Sequence, residues 1–181
     1  MKLHELFESS EKSILSVYGK QPEHNPLGFD CSNKGMTSLE GASRSYSAGF
    51  YCFSNHLESL KGAPEKVNGT FDCCDNQIDS LEFAPSYIKN DFYFIDNQLT
   101  NLRNIHKIIK HVGGEMNFNS NPIVSHVLGL LLIEGVTYVN LGASGPKAMV
   151  EKIINKHLDE RDVFACQEEL IEAGLDDFAQ L

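Results

Sequence analysis

The chain has 181 residues, of which 41% are hydrophobic and 22% are charged; this composition predicts a folded domain with a buried core and excludes a disordered chain. The formal net charge is -10, and residues 151–181 hold nine acidic residues against three basic ones. Because the sequence contains no basic cluster, we expect neither a nucleic acid nor an anionic membrane as a partner. The charge favours a neutral or basic protein partner, although net negative charge also serves solubility alone.

The cysteines and the apolar segments indicate the compartment. Five cysteines, an odd number, occur without an apolar leader at the start of the chain, so we expect reduced thiols in the cytoplasm. The longest apolar run, from Val127 to Ile133, is too short to cross a bilayer. The cysteines are Cys31, Cys52, Cys73, Cys74 and Cys166.

The first predicted element is a short amphipathic helix from about Lys2 to Gly19. We expect it to cap the apolar end of the repeats that follow, and Pro22 and Pro26 mark a linker between the two. The apolar positions of the helix are Leu3, Leu6, Phe7, Ile14, Leu15 and Val17.

A repeat of 21 residues occupies the middle of the chain, from about Gly28 to about His126. Each unit reads apolar-x-apolar-x-x-Asn-x-apolar-x-x-Leu, which predicts a short strand, a turn and a return segment. The outer units deviate: Lys34 replaces the asparagine of the first, and a degenerate fifth unit follows after a spacing of 24 with His126 in place of leucine. Four columns keep the period: Phe29, Phe50, Phe71 and Phe92; Met36, Leu57, Ile78 and Leu99; Leu39, Leu60, Leu81 and Leu102; and Tyr46, Val67, Ile88 and Ile109.

The recurrent asparagine has a structural explanation. One unit cannot bury its apolar face alone, so the units must stack, and the turns then leave buried backbone groups that need partners. A side-chain amide carries both donors and an acceptor, so stacked asparagines predict a ladder that satisfies those groups. The ladder residues are Asn55, Asn76, Asn97 and Asn121.

After the fifth unit we predict a short helical return over residues 127–133 and a last strand over residues 135–141. A helix from Pro146 to about Leu158 follows, and then a final helix, or a helix pair divided at Gly174, from about Asp162 to Phe178. They are expected to cap the C-terminal end of the solenoid, with docking of a partner as the alternative. The predicted domains are an N-terminal helical cap and linker (1–27), an α/β solenoid of short strands (28–142) and a C-terminal helical cap (143–181).

No catalytic constellation and no metal-ligand spacing stands out in the sequence. Cys73 falls in an inward column and is expected to be a small buried hydrophobe, whereas its neighbour Cys74 points outward. The seven histidines are scattered, and the basic segment from Lys107 to His111 suits a solvated face. We therefore predict a non-enzymatic protein without a cofactor or a metal ion.

Outward-facing strand residues form the candidate binding site, because in a solenoid they line one continuous sheet face, the usual binding surface. Tyr51, Phe53, Tyr93 and Ile95 predict an apolar, aromatic patch that binds a protein partner, unless terminal helices fold over it. An open end or this aromatic patch would also support a homo-oligomer. In chain order the candidate residues are Asp30, Ser32, Tyr51, Phe53, Asp72, Cys74, Tyr93, Ile95, Asn117 and Asn119.

The repeat resembles the leucine-rich repeat, with Phe and Cys where Leu is commoner. The segments Ser38-Leu39-Glu40-Gly41-Ala42 and Ser59-Leu60-Lys61-Gly62-Ala63-Pro64, the aromatic-x-Cys strands and the tail from Phe164 to Gly174 resemble short leucine-rich-repeat proteins encoded by tailed bacteriophages. The resemblance implies an accessory protein of the infected bacterial cytoplasm that binds a host enzyme or defence component and inhibits it. The alternative is a virion or assembly component that contacts partners through the acidic C-terminal helices.

Overall fold

The computed structural model describes residues 11–181. These residues form a β-solenoid of short parallel strands in two sheets, with helices at its two ends. The predicted N-terminal helix starts at Lys2, so its apolar positions Leu3, Leu6 and Phe7 lie outside the described residues. Within residues 11–181, no helix combines the length and the hydropathy that crossing a membrane requires.

Each turn of the solenoid contributes one strand to the larger, six-stranded sheet. Its members are β2 (Phe29–Asp30), β4 (Phe50–Tyr51), β6 (Phe71–Asp72), β8 (Phe92–Tyr93), β10 (Glu115–Asn117) and β11 (Tyr138–Asn140). The five-stranded sheet contains β1 (His24–Asn25), β3 (Ser45–Tyr46), β5 (Lys66–Val67), β7 (Tyr87–Ile88) and β9 (His111–Val112). The helices are α1 (Ile14–Tyr18), α2 (Ile105–Ile108), α3 (Pro146–His157) and α4 (Val163–Glu172), and a 3-10 helix spans Leu128–Leu132.

The strand register confirms the 21-residue period. Phe29 pairs with Phe50, Phe50 with Phe71, and Phe71 with Phe92. Their ring centroids follow one another at 5.7, 5.7 and 5.8 Å, within the range of favourable aromatic pairs. The core is therefore a set of columns in which each turn buries the apolar residues of the next.

One predicted column is wrong at its last member. Ile88 pairs with Val112 rather than with Ile109, because α2 adds three residues to this turn. Leu102 still follows Leu81 at the regular period, so the extra residues lie between Leu102 and β9. Ile109 is the C-cap residue of α2 and is buried there. Because it is apolar and follows Ile88 by 21 residues, the period alone placed it in this column.

The five-stranded sheet was not predicted, and its first strand corrects the linker assignment. β1 lies between Pro22 and Pro26 and pairs with β3, so this segment belongs to the solenoid rather than to a linker. The prolines flank the strand without interrupting its two residues, which is compatible with the missing proline N–H.

The asparagine ladder is confirmed. The four ladder side chains are buried, and each bridges two successive turns. Asn76 is representative: its Nδ2 donates to the Cys52 and Cys73 carbonyls, both at 3.1 Å, and its Oδ1 accepts from the Leu57 N–H at 3.0 Å. Buried turns are thereby satisfied without water, as backbone polar groups require.

The C-terminal helices cap the solenoid, as predicted. Asn155 of α3 accepts from the Val139 N–H at 2.8 Å and donates to the Val139 carbonyl at 2.7 Å. Glu151 accepts from the Leu141 N–H at 2.8 Å, so two side chains satisfy the outer edge of β11. Of the predicted final helix or helix pair, only the first part is helical: α4 ends at Glu172, and Gly174, the predicted point of division, has a left-handed φ of 71°. The tail beyond it buries Phe178 and Ala179.

The N-terminal segment packs against the first turn. The Thr37 N–H donates to the Lys12 carbonyl at 3.0 Å and the Leu15 N–H donates to the Glu40 carbonyl at 2.8 Å. α1 begins after Ser13, whose side chain accepts from the Ser16 N–H. Within the described residues the helix is therefore a single turn, preceded by an extended segment.

Candidate partner-binding face

The predicted site residues come together on the outer face of the six-stranded sheet, in two rows that cross the strands. The strand register places the members of the first row side by side. Backbone hydrogen bonds between successive turns continue the register into the second row. The first row is Asp30, Tyr51, Asp72, Tyr93 and Asn117, and the second is Ser32, Phe53, Cys74, Ile95 and Asn119.

The patch predicted from Tyr51, Phe53, Tyr93 and Ile95 is half-buried rather than fully exposed. The Tyr51 ring explains this, because it folds back along the strand over Gly49. A Cβ on Gly49 would lie 2.5 Å from the Tyr51 hydroxyl oxygen, so the ring occupies the space that a side chain at position 49 would fill.

The two C-terminal helices pack elsewhere. α3 and α4 pack against each other and against the 3-10 helix, and α3 also packs on β11 at the end of the sheet. The side chains of β4, β6 and β8 on this face therefore keep their partial exposure.

Three of the predicted site residues also serve the fold. Oδ1 of Asp72 accepts from the N–H of Cys74 at 3.0 Å, and Asp30 and Asn117 make the same bond to the N–H two residues later. Such local bonds stabilise the turn that follows each strand. The second carboxylate oxygen of Asp30 and of Asp72 is not needed for this bond.

A third row on the same face was missed by the sequence analysis. It lies one alternation before the first row and contains Thr70, Asp91, Glu115 and Tyr138, after the glycines of the first two turns. The prediction began each strand at its phenylalanine and so left this row in the turns. The alternation of strand residues, extended by one step, would have included it.

Two observations describe the titratable groups of the described residues and of this face. Within residues 11–181, no three His, Cys, Asp or Glu side chains converge as metal ligands. Burial raises the pKa of Cys74 to about 12, and a hydrogen bond with Asp72 acts in the same direction. A neutral thiol is a poor nucleophile, so the outward cysteine is not activated.

A comparison of the chain with protein-family models, with curated proteins and with solved structures gives no match.

Proposed function

We propose that this chain is a non-catalytic protein-binding module that takes its partner on the outer face of the six-stranded sheet. The observation that carries the proposal is the face itself: its three rows are in register, and Tyr51 and Tyr93 stand on it half-exposed while the helices pack at the end of the sheet. Tyrosine supplies a large contact area with little side-chain entropy to lose, which is why it is frequent in binding hot spots.

We propose further that the solenoid is a leucine-rich repeat of the kind that tailed bacteriophages encode. The repeat pattern and the buried asparagine ladder support this, because both follow from the same leucine-rich-repeat motif. In this proposal the protein acts in the cytoplasm of an infected bacterium and inhibits a host enzyme or a defence component by covering part of it.

The test is an affinity capture from bacterial lysate and from infected-cell lysate, with the intact chain and two variants as baits. Tyr51→Ala/Tyr93→Ala removes the two rings from the face. Tyr87→Ala is the control, because Tyr87 is also half-buried but lies on the five-stranded sheet. We expect a protein that the wild-type chain and the control retain and the double variant loses. Equal capture by all three folded baits would exclude this face as the binding site.

A second candidate function rests on α4. Phe164 exposes 83% of its surface and Ile171 is also exposed, and both lie on the same side of a helix that carries Glu168 and Glu172. An apolar stripe with acidic flanks suits assembly with another protein, which favours a virion or assembly component.

Mass spectrometry of purified virions, together with a Phe164→Ser variant, separates the two functions. Presence of the chain in particles, and its loss with Phe164→Ser, would support assembly through α4. Absence from particles would remove this candidate and leave the sheet-face module.

A further inference from the structure

The three rows of the six-stranded sheet contain acidic residues and no basic ones, and Lys147 of α3, which donates to the Asn121 carbonyl at 2.8 Å, lies near Asn119 at the end of the second row. Across the three rows stand four carboxylates, and none of the chain's 15 lysines and arginines is among them. None of the ion pairs within residues 11–181 includes any of these carboxylates. The four are Asp30, Asp72, Asp91 and Glu115.

Several basic side chains of the repeats lie on or beside the other sheet. Lys66 is exposed there, with its Nζ 4.7 Å from the centre of the Tyr87 ring, and Arg44 donates to Glu65 at 2.8 Å beside it. Lys89 follows on the next turn and is exposed as well. The five-stranded side therefore carries both signs of charge, since Arg44 pairs with Glu23 and Glu65, whereas the charged residues in the three rows of the other sheet are all acidic.

Two of the carboxylates stand next to each other on neighbouring strands. The Glu115 N–H donates to Oδ1 of Asp91 at 2.9 Å, which places the two side chains in one row. Like charges directly opposite each other in a sheet destabilise it. Glu115 is held in place by the Asn117 side chain, which donates to it at 2.8 Å. The sheet thus fixes a negative pair with no cation beside it among residues 11–181.

Tyr93 adjoins this pair. Burial raises its pKa, and the charges of Asp91 and Glu115 contribute to the same shift, so the hydroxyl stays neutral and close to both carboxylates. A half-exposed aromatic ring beside two carboxylates is the arrangement that binds a lysine or an arginine, by charge and by the ring face together.

We propose that the partner presents a lysine or arginine to the Asp91–Glu115 pair, with its aliphatic stem on Tyr93 and an apolar neighbour against Phe53 and Ile95. This inference rests on the proposed function and names the chemistry of its partner. A polyanion is excluded by the sign of the face, and a second copy meeting this face with its own would bring eight carboxylates together. The occupant is therefore a cationic segment of another protein.

The probe for the test is a short fluorescent peptide that alternates lysine with leucine, compared with the same peptide carrying glutamate for lysine. Fluorescence anisotropy measures its affinity for the wild-type chain and for Asp91→Asn/Glu115→Gln, which removes two charges and keeps the acceptor oxygens. The control is Asp79→Asn/Glu82→Gln, because both residues are exposed and lie off the sheet face. We expect the first variant to weaken lysine-peptide binding about tenfold or more, and the control less than about twofold.

Three results would overturn the inference. They are no binding of the lysine peptide to the wild-type chain, equal losses in the two variants, and a self-association in sedimentation that the Asp91→Asn/Glu115→Gln variant abolishes. The proposed function has a separate readout. If Tyr51→Ala/Tyr93→Ala loses a captured protein while Asp91→Asn/Glu115→Gln retains it, the face binds a partner but the cationic assignment is wrong.

Discussion

Replacing one asparagine of the ladder should lower the free energy of unfolding far more than replacing an exposed polar residue of the same turn. In Asn76→Ala the lost amide no longer donates to the Cys52 and Cys73 carbonyls and no longer accepts from the Leu57 N–H. The two carbonyls keep a partner, because Asn55 donates to the first and Asn97 to the second. The damage is thus concentrated on one buried N–H.

The magnitude follows from these contacts. A buried donor left without a partner costs about 1–3 kcal/mol, and each hydrogen bond lost elsewhere about 0.5–1.5 kcal/mol. Because the carbonyls remain satisfied by the adjacent rungs, we expect Asn76→Ala to lower the free energy of unfolding by about 2–4 kcal/mol. Each of these backbone carbonyls therefore keeps a hydrogen bond when one asparagine is lost, whereas the backbone N–H does not.

Urea unfolding, followed by circular dichroism, measures this difference. The control is Gln77→Ala, because Gln77 is the exposed neighbour of Asn76 on the same turn, and it should change stability by less than about 0.5 kcal/mol. A decrease in the free energy of unfolding of less than about 1 kcal/mol for Asn76→Ala, with an unchanged dependence of that free energy on urea concentration, would refute the claim that no other group replaces the asparagine.

Three further predictions concern the cap, the pH dependence and the thiols. Glu151→Ala should lower the thermal midpoint, because the outer edge of β11 loses an acceptor, whereas the exposed Lys152→Ala should not; equal midpoints would contradict the capping role. Burial and then a neighbouring guanidinium lower the pKa of His126, so the folded state favours the neutral ring. The stability associated with the neutral ring is present above the unfolded pKa of about 6.5 and is lost as the pH falls below it. His126→Asn should therefore weaken the dependence of the urea midpoint on pH between pH 5 and 7. Cys52 and Cys73 are fully buried with raised pKa values, so a thiol reagent should label them only on unfolding, and rapid native labelling detected by mass spectrometry would contradict their burial.

The stacking period could be predicted because it is imposed by the core. Phe50, Phe71 and Phe92 must lie on one another if each turn is to bury the next, so the chain repeats the residue and the spacing together. The ladder was predictable for the same reason, since every turn leaves the same backbone groups unsatisfied. A pattern that physical necessity repeats in every turn is visible in one sequence.

The second sheet was missed because nothing in its outward positions repeats. His24, Ser45 and Lys66 share a position across three strands but differ in size, polarity and charge. With strands of two residues, alternation has too little length to be recognised. Only the inward column marked this side of the solenoid, and α2 shifted that column by three residues.

The candidate site was predictable in position and less so in character. The alternation placed Tyr51 and Tyr93 on the outer face correctly, but exposure depends on how each ring lies, and the Tyr51 ring lies over Gly49. The row with Asp91 and Glu115 was not predicted to lie on the face, because the prediction began each strand at its phenylalanine. Its charge pattern emerges only when turns separated by about 21 residues are placed side by side.

In the first row of the sheet face, some side chains form a hydrogen bond that stabilises the fold and others do not. In four of the six turns, a short side chain in this row accepts from the N–H two residues later, as Asp72 does from Cys74 and Asn140 from Gly142. A tyrosine ring has no acceptor at that distance from the backbone, so Tyr51 and Tyr93 do not make this bond. In the turn of Tyr93, the N–H two residues later, that of Ile95, donates to Cys74 Sγ at 3.3 Å instead. Contact with a partner on this face, as proposed above, would account for the two tyrosines, and the binding variants therefore remove these rings first.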